Sequence, residues 1–364
     1  MGSAPSGCEK EAKPPATRGM TGWLLLLAVL SSLLCGASHP TPDEEATGLR
    51  YPTARREVGN VRHREARVLV DERGSDTFPR VDNSTILFLH VFKCAGTSLR
   101  EVFMAWAKVR GWTGAIVEHC KIPHHMHADK ICLNERNDLF DYDKQKWLVA
   151  GTRVMAGHFF WDFRHYVTPP YLMITTLREP LELFVSSQQF SNRAETSTLE
   201  DAVAFVSGEM KKRMGMQQPQ DLAFIRRLMA QRIDYSYEDG EPLPDEQLRA
   251  MAATAVEDLQ SFFVVGVVEQ YEGFIEVLKK TLDPGEEHSA LWKAATVVRK
   301  NGSPVHSSEV LRGINPVLVR EFNATTLPFQ WQVYDVAKQL WLSRCREVLP
   351  PEDHQTLCSV HGHS

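Results

Sequence analysis

Three short apolar runs, at residues 85–91 (TILFLHV), 171–177 (YLMITTL) and 262–268 (FFVVGVV), stand out in a chain of otherwise mixed polarity. Each is too short for a typical helix and rich in β-formers, so each is expected to be a strand buried on both faces, as in parallel sheets. After each run the period changes. Residues 97–108, 179–190 and 270–282 follow a helical pattern with one apolar face. Repeated strand-then-helix units predict an α/β domain, a parallel sheet flanked by helices. Further helices are expected at 217–232, 245–260 and 330–349, the last with Val333, Ala337, Leu340 and Trp341 on its packing face.

The N-terminal part reads differently. An apolar run at 22–35, extended to 20–38, is long enough to span a bilayer. Lys10, Lys13 and Arg18 precede it, against Glu9 and Glu11, which favours a cytosolic N-terminus. The alternative is a cleavable signal peptide ending at the small residues 36–38, although the 19 residues ahead of the run are long for one. Residues 39–80 carry charges and turn formers without apolar periodicity, as a stem would. The expected organisation is a cytosolic tail at 1–19, a transmembrane signal anchor at 20–38, a stem at 39–80 and a luminal folded domain at 81–364.

Composition narrows the chemistry. A length of 364 residues, 43% of them hydrophobic, allows a sizeable core, and a net charge of −5 argues against nucleic acid as a partner. Any polyanion site must therefore be local. Leaving aside Cys8 and Cys35, five cysteines remain, an odd number. Cys94 lies in a turn where a disulfide would obstruct backbone approach, so it is expected to be free, with Cys120–Cys132 and Cys345–Cys358 as local pairs. Sequons at Asn83 and Asn323 suit a secretory route, and Asn301 is a poorer one because proline follows.

The first apolar run leads into FKCAGTS at 92–98, a strand, a small-residue turn and a helix start. This is the geometry of a phosphate cradle, with Gly96 for close backbone approach, helix amides aimed at an anion and Lys93 as the point charge. The nucleoside-triphosphate loop GxxxxGK[ST] is absent, because here the lysine precedes the glycine. A second strand-to-helix junction, TTLREPLELFVSS at 175–187, places Arg178 at a strand exit and Ser186 two turns into a helix. A guanidinium fork and a hydroxyl so placed can hold a second phosphate. The ordinary alternative for Arg178 is an ion pair with Glu179 or Glu182.

These two junctions, LHVFKCAGTSL and TTLREPLELFVSS, resemble the paired phosphosulfate-binding motifs of Golgi carbohydrate sulfotransferases, most closely the heparan/dermatan uronyl 2-O-sulfotransferase and heparan 6-O-sulfotransferase group. GHFFWDF at 157–163 and FFVVGVVEQYEGFIEVL at 262–278 extend the resemblance, which covers about 84–349. It implies a P-loop-like sulfotransferase fold and 3′-phosphoadenosine 5′-phosphosulfate as donor, with no metal. By the same resemblance Lys93 and the backbone of Ala95, Gly96, Thr97 and Ser98 hold the 5′-phosphosulfate, while Arg178 and Ser186 hold the 3′-phosphate. Arg299 and Lys300 match a loop that closes over the nucleotide.

Sulfuryl transfer needs stabilisation of the leaving phosphate, a task for Lys93, and a base for the acceptor hydroxyl. His158 is the candidate, because imidazole accepts a proton near neutral pH and the matching histidine is the base in the resembled group. Asp162 and His165 lie close by in sequence, and Asp162 could orient a histidine or the acceptor. The segment 119–132, with His124, His125 and His127 between two cysteines, fits no compact zinc pattern and is expected to be closed by a disulfide, with an acceptor-facing loop and an ordinary surface loop both left open. Lys121, Lys130, Arg153 and Arg164 are candidate contacts to sulfate or carboxylate groups of a glycan.

The chain departs from the resembled motifs at Phe92, where proline usually precedes the lysine, at Glu179, where aspartate is common, and at Ala156, where the uronyl 2-O group has a second histidine. The expected function is sulfuryl transfer to a hydroxyl of a polysaccharide or glycosaminoglycan-like acceptor by a single-pass type II Golgi membrane protein, with a homo-oligomer left open. The alternatives are a catalytically silent glycan-binding relative and, less in keeping with the loop, an ATP-dependent kinase.

Overall fold

A computed structural model describes residues 81–120, 130–133, 139, 142–193, 195–216, 221–228, 243–297 and 305–359. The proposed tail, anchor and stem, the histidine-rich segment at 121–129, and Arg299, Lys300 and Asn301 lie outside these residues. Among the described residues no helix is long and apolar enough to cross a membrane.

Six strands form one wholly parallel sheet: β1 (Thr85–Leu89), β2 (Gly114–His119), β3 (Lys130–Leu133), β4 (Val154–Gly157), β5 (Tyr171–Leu177) and β6 (Val264–Val267), in the order β3-β2-β4-β1-β5-β6. The helices are α1 (Gly96–Val109), α2 (Tyr142–Gly151), α3 (Pro180–Ser191), α4 (Leu199–Met214), α5 (Ala223–Leu228), α6 (Asp245–Gln260), α7 (Tyr271–Leu282), α8 (Ser289–Val297), α9 (Ser307–Gly313), α10 (Pro316–Thr326) and α11 (Pro328–Val348). Every residue of β4 and β6 is buried, as befits strands covered on both faces.

The expected parallel sheet is therefore present, with corrected boundaries. The run at 85–91 leaves the sheet after Leu89, and the run at 262–268 contributes only Val264–Val267. Of the helix expected at 217–232, Ala223–Leu228 is described. Cys120–Cys132 ties the end of β2 to β3, Cys345–Cys358 ties α11 to the C-terminal turn, and Cys94 is free and buried.

The main core surrounds the sheet and includes Phe88, Phe103, Trp106, Phe274 and Trp341. A smaller cluster joins α3 and α4 to α9 and α10 through Phe184, Val206, Val310 and Phe322. Strand order positions the site. β1 comes first in the chain yet sits centrally, with β4 on one side and β5 on the other. In open α/β sheets ligands bind at the carboxyl ends of strands where the winding reverses. Leu89 is level with both Gly157 and Thr175, so His158 emerges beside His90. Arg178 stands two residues further out than His158, roughly 7 Å at strand rise.

Candidate active site

The turn between β1 and α1 is strained, in a form that could cradle an anion. Lys93 and Ala95 have φ of 61° and 58°, two of the three non-glycine positions with positive φ among the described residues. An L-residue held there costs on the order of 1 kcal/mol or more, and such strain persists where the surroundings impose it. Here two threonines of β5 do so: Thr176 Oγ1 donates to the Cys94 carbonyl at 2.6 Å and Thr175 Oγ1 to the Leu89 carbonyl at 2.9 Å. Alternation into the left-handed region turns successive amides toward one concavity. Ala95 gives α1 no side-chain cap, so the amides of Gly96 and Thr97 at the helix start are open to an outside acceptor. Burial pushes the Cys94 thiol far up, which makes it a packing group.

Gly96 has a different neighbour from the one expected. A Cβ there would stand 1.6 Å from His90 Cδ2, so it is the imidazole that demands a glycine.

Lys93 is half-buried, with Nζ 4.2 Å from the Phe190 ring centroid and 5.9 Å from that of Phe92. Burial above all, then the Arg178 and Arg193 cations, pulls it down to about 8. It remains protonated by roughly ten to one at pH 7. A desolvated cation among other cations is one that an anion would relieve.

On the far side of β1, Arg178 pairs with Glu182 at 2.8 Å through Nη2, and Nη2 also donates to Ser307 Oγ at 3.3 Å. The ordinary alternative for this arginine is thus realised, and the carboxylate holds the guanidinium in place. Glu179 caps α3 instead, accepting from the Glu182 amide at 2.8 Å, and burial raises its carboxyl to about 7. Behind it Glu269 accepts from the Glu179 amide and the Tyr334 hydroxyl, each at 2.7 Å. Ser186 lies buried on α3. Ser307, 129 residues from Arg178, was not legible in sequence.

His158 follows β4, where Gly157 lets the chain pass against the Val117 carbonyl; a Cβ would stand 1.8 Å from that oxygen. The His158 ring stacks on His90 with centroids 4.0 Å apart, and its Nδ1 lies 3.1 Å from the His90 carbonyl oxygen. A carbonyl can only accept, so Nδ1 carries the proton of the neutral ring and Nε2 keeps its lone pair. Burial first, then Arg227, lowers His158 to about 4, against the raising effect of the His90 carbonyl. The ring is oriented by that carbonyl; Asp162 and His165 sit in the following short 3-10 helix, Trp161–Tyr166.

Phe92 connects the two halves of the site. Its exposed ring lies 6.4 Å from that of His158 and meets the exposed Phe190 edge-on at 5.4 Å. Beside it opens a cavity of about 220 Å³, lined by Phe92, Leu183, Phe184, Ser187, Asp221 and Arg227 among others. Arg193 lies over Phe190 at 4.8 Å and Arg227 over Phe160 at 4.6 Å, two cations that the sequence did not single out. Of those it did, Lys130 bridges to Glu118, Arg153 donates to the carbonyls of Asp82 and Ser84 and covers Trp112, and Arg164 covers Trp161. The disulfide takes Cys120 and Cys132 out of any zinc site.

No curated protein matches the chain significantly. Residues 76–295, more than half of the chain, match the family model described as Sulfotransferase family. A cradle at β1, an arginine at the end of β5 and a parallel sheet wound about them all fall within that span, and the chain belongs to the sulfotransferase family.

Proposed function

We propose that the protein transfers a sulfuryl group from 3′-phosphoadenosine 5′-phosphosulfate to a hydroxyl of a polysaccharide or glycosaminoglycan-like acceptor. The observation that carries this reading is the pairing, across the end of one strand, of an uncapped helix start and lysine with a histidine whose Nε2 is free to take a proton. The residues fit the donor. The strained turn offers the amides at the start of α1, Lys93 is a cation in want of an anion, and Arg178, whose Nε and Nη2 are held by Glu182, offers Nη1 together with the hydroxyls of Ser186 and Ser307 for a second phosphate. When bound, the donor supplies an activated sulfuryl group on a phosphate leaving group.

The chain's own residues then do the rest. Lys93 faces the charge that grows as that phosphate departs, where a fixed cation in a dry site lowers the barrier most. His158 Nε2 accepts the proton of the acceptor hydroxyl, while Nδ1 keeps its hydrogen on the His90 carbonyl. Phe92 and Phe190 present exposed ring faces at the mouth, against which the C–H face of a sugar can lie. Arg193 and Arg227 beside them favour an acceptor that carries carboxylates or sulfates.

A type II Golgi placement with a luminal catalytic domain belongs to the same proposal, supported by the apolar run at 20–38 and two disulfides. Asn83, exposed in a surface turn, is the better glycosylation candidate, because the Asn323 side chain of α10 accepts from Trp331 Nε1 of α11. The test is a transfer assay with labelled donor and desulfated heparan, chondroitin, dermatan and plain galactan. Label on an acidic glycan supports the reading; no transfer to any acceptor despite nucleotide binding supports the silent relative.

A further inference from the structure

We propose that His90 is a positioning residue for His158, fixing the plane of the base and keeping water from one face of its ring. This role presupposes the assignment of His158 as the base. Two separate parts of His90 act on it: the carbonyl fixes the Nδ1 proton, and the ring covers the imidazole face at 4.0 Å. His90 is itself held on every side. Its amide donates to the Gly157 carbonyl at 2.8 Å, its ring fills the place of a Gly96 side chain, Phe88 stacks beyond it, and it is 4% exposed.

An apolar residue would fill that space at less cost. His90 Nδ1 is buried with no hydrogen-bond partner among the described residues, a penalty that a phenylalanine would avoid. The groups facing the pair are Lys93 in the turn, Arg100 of α1 and Arg227 of α5, against Glu118 of β2. Three cations and two adjacent rings oppose a proton on either imidazole. Burial, then His158 itself, holds His90 well below the ordinary histidine range, so in the transfer the acceptor's proton goes to His158 Nε2 and His90 takes none.

The experiment is the pH dependence of sulfuryl transfer, with donor KM, in the full-length protein and its His90→Ala, His90→Asn and His158→Ala variants. His90→Ala is expected to lower kcat about 10- to 100-fold, the usual consequence of a misplaced catalytic group. It should leave donor KM within about threefold and move the acid limb of kcat/KM up toward the ordinary histidine value near 6.5. His90→Asn, a planar group without a titrating proton, should recover part of kcat, and it carries the same test should His90→Ala unfold. An unchanged kcat and acid limb in both variants overturns the proposal. So does a loss confined to thermal stability and donor affinity, which would mark a packing role. An active His158→Ala would sink the base assignment itself, whereas an inactive His158→Ala beside normal His90 variants would sink this inference alone.

Discussion

Gly96→Ala is the sharpest probe of the site, because one methyl group meets one ring. The new Cβ would lie 1.6 Å from His90 Cδ2, 2.1 Å from Nε2 and 2.2 Å from Cγ. Carbon atoms in contact sit about 3.5–4.0 Å apart, so the ring would have to retreat by roughly 2–2.5 Å. It has nowhere to go, being 4% exposed with His158 stacked 4.0 Å away. The φ of Gly96 is not positive, so alanine brings no backbone strain and the clash acts alone. Overpacking of this kind costs about 1–3 kcal/mol, or roughly 2–12 °C in Tm for a domain of this size. Thermal unfolding of the full-length variant measures the cost, and the transfer assay should show kcat falling because His158 is displaced. The double variant Gly96→Ala/His90→Ala makes room for the methyl and should be more stable than the sum of the single losses. A Gly96→Ala protein with wild-type Tm and kcat, or strictly additive losses in the double variant, would refute the reasoning.

Lys93→Met should abolish transfer yet leave the ligand-free protein as stable as wild type or more so, since it removes a desolvated cation beside Arg178 and Arg193; the transfer assay checks the first half and thermal unfolding without nucleotide the second. Arg178→Lys loses both the Nη1 donor and the tie to Glu182 that fixes it, and should weaken 3′-phosphoadenosine 5′-phosphate by about 10- to 100-fold, as for one or two charge-assisted hydrogen bonds. The same change should leave adenosine 5′-phosphate nearly unaffected in calorimetric titration. The two histidines also set a pH dependence. Their folded values lie below the unfolded 6.5, His158 at about 4, so the unfolded chain takes up protons first. Their contribution is complete above 6.5 and is lost as pH falls toward about 4; denaturant midpoints should drop across that window, and less steeply in His158→Asn.

The strand at 171–177 and the helix at 245–260 were legible residue for residue, because one is an unbroken run of β-formers and the other a clean amphipathic period. β3 and β4 were not. At four residues each, with VMAG ending in glycine, they carry too little pattern to stand out from a loop. Within the candidate site, Lys93, Arg178 and His158 could be singled out from the sequence because each sits at a strand exit within a recognisable motif. His90 lay in plain view in the first motif, but its partnership with His158 spans 68 residues and exists only because β4 lies beside β1. The left-handed backbone at Lys93 and Ala95 had no sequence signal either, since neither is glycine and the threonines that hold the turn belong to β5. Phe92, a departure from the resembled motif, takes its meaning from Phe190 and His158, neither adjacent to it in the chain.

In the proposed reaction one strand end holds the donor's anion while a neighbouring histidine takes the acceptor's proton. The most direct measurement sets 3′-phosphoadenosine 5′-phosphate affinity beside single-turnover sulfuryl transfer in wild type and His158→Ala. The account predicts nucleotide affinity within about threefold of wild type and transfer reduced by about 10²- to 10⁴-fold, the range for a lost general base. Transfer at the wild-type rate in His158→Ala, or wild-type protein with no affinity for the nucleotide, would contradict it.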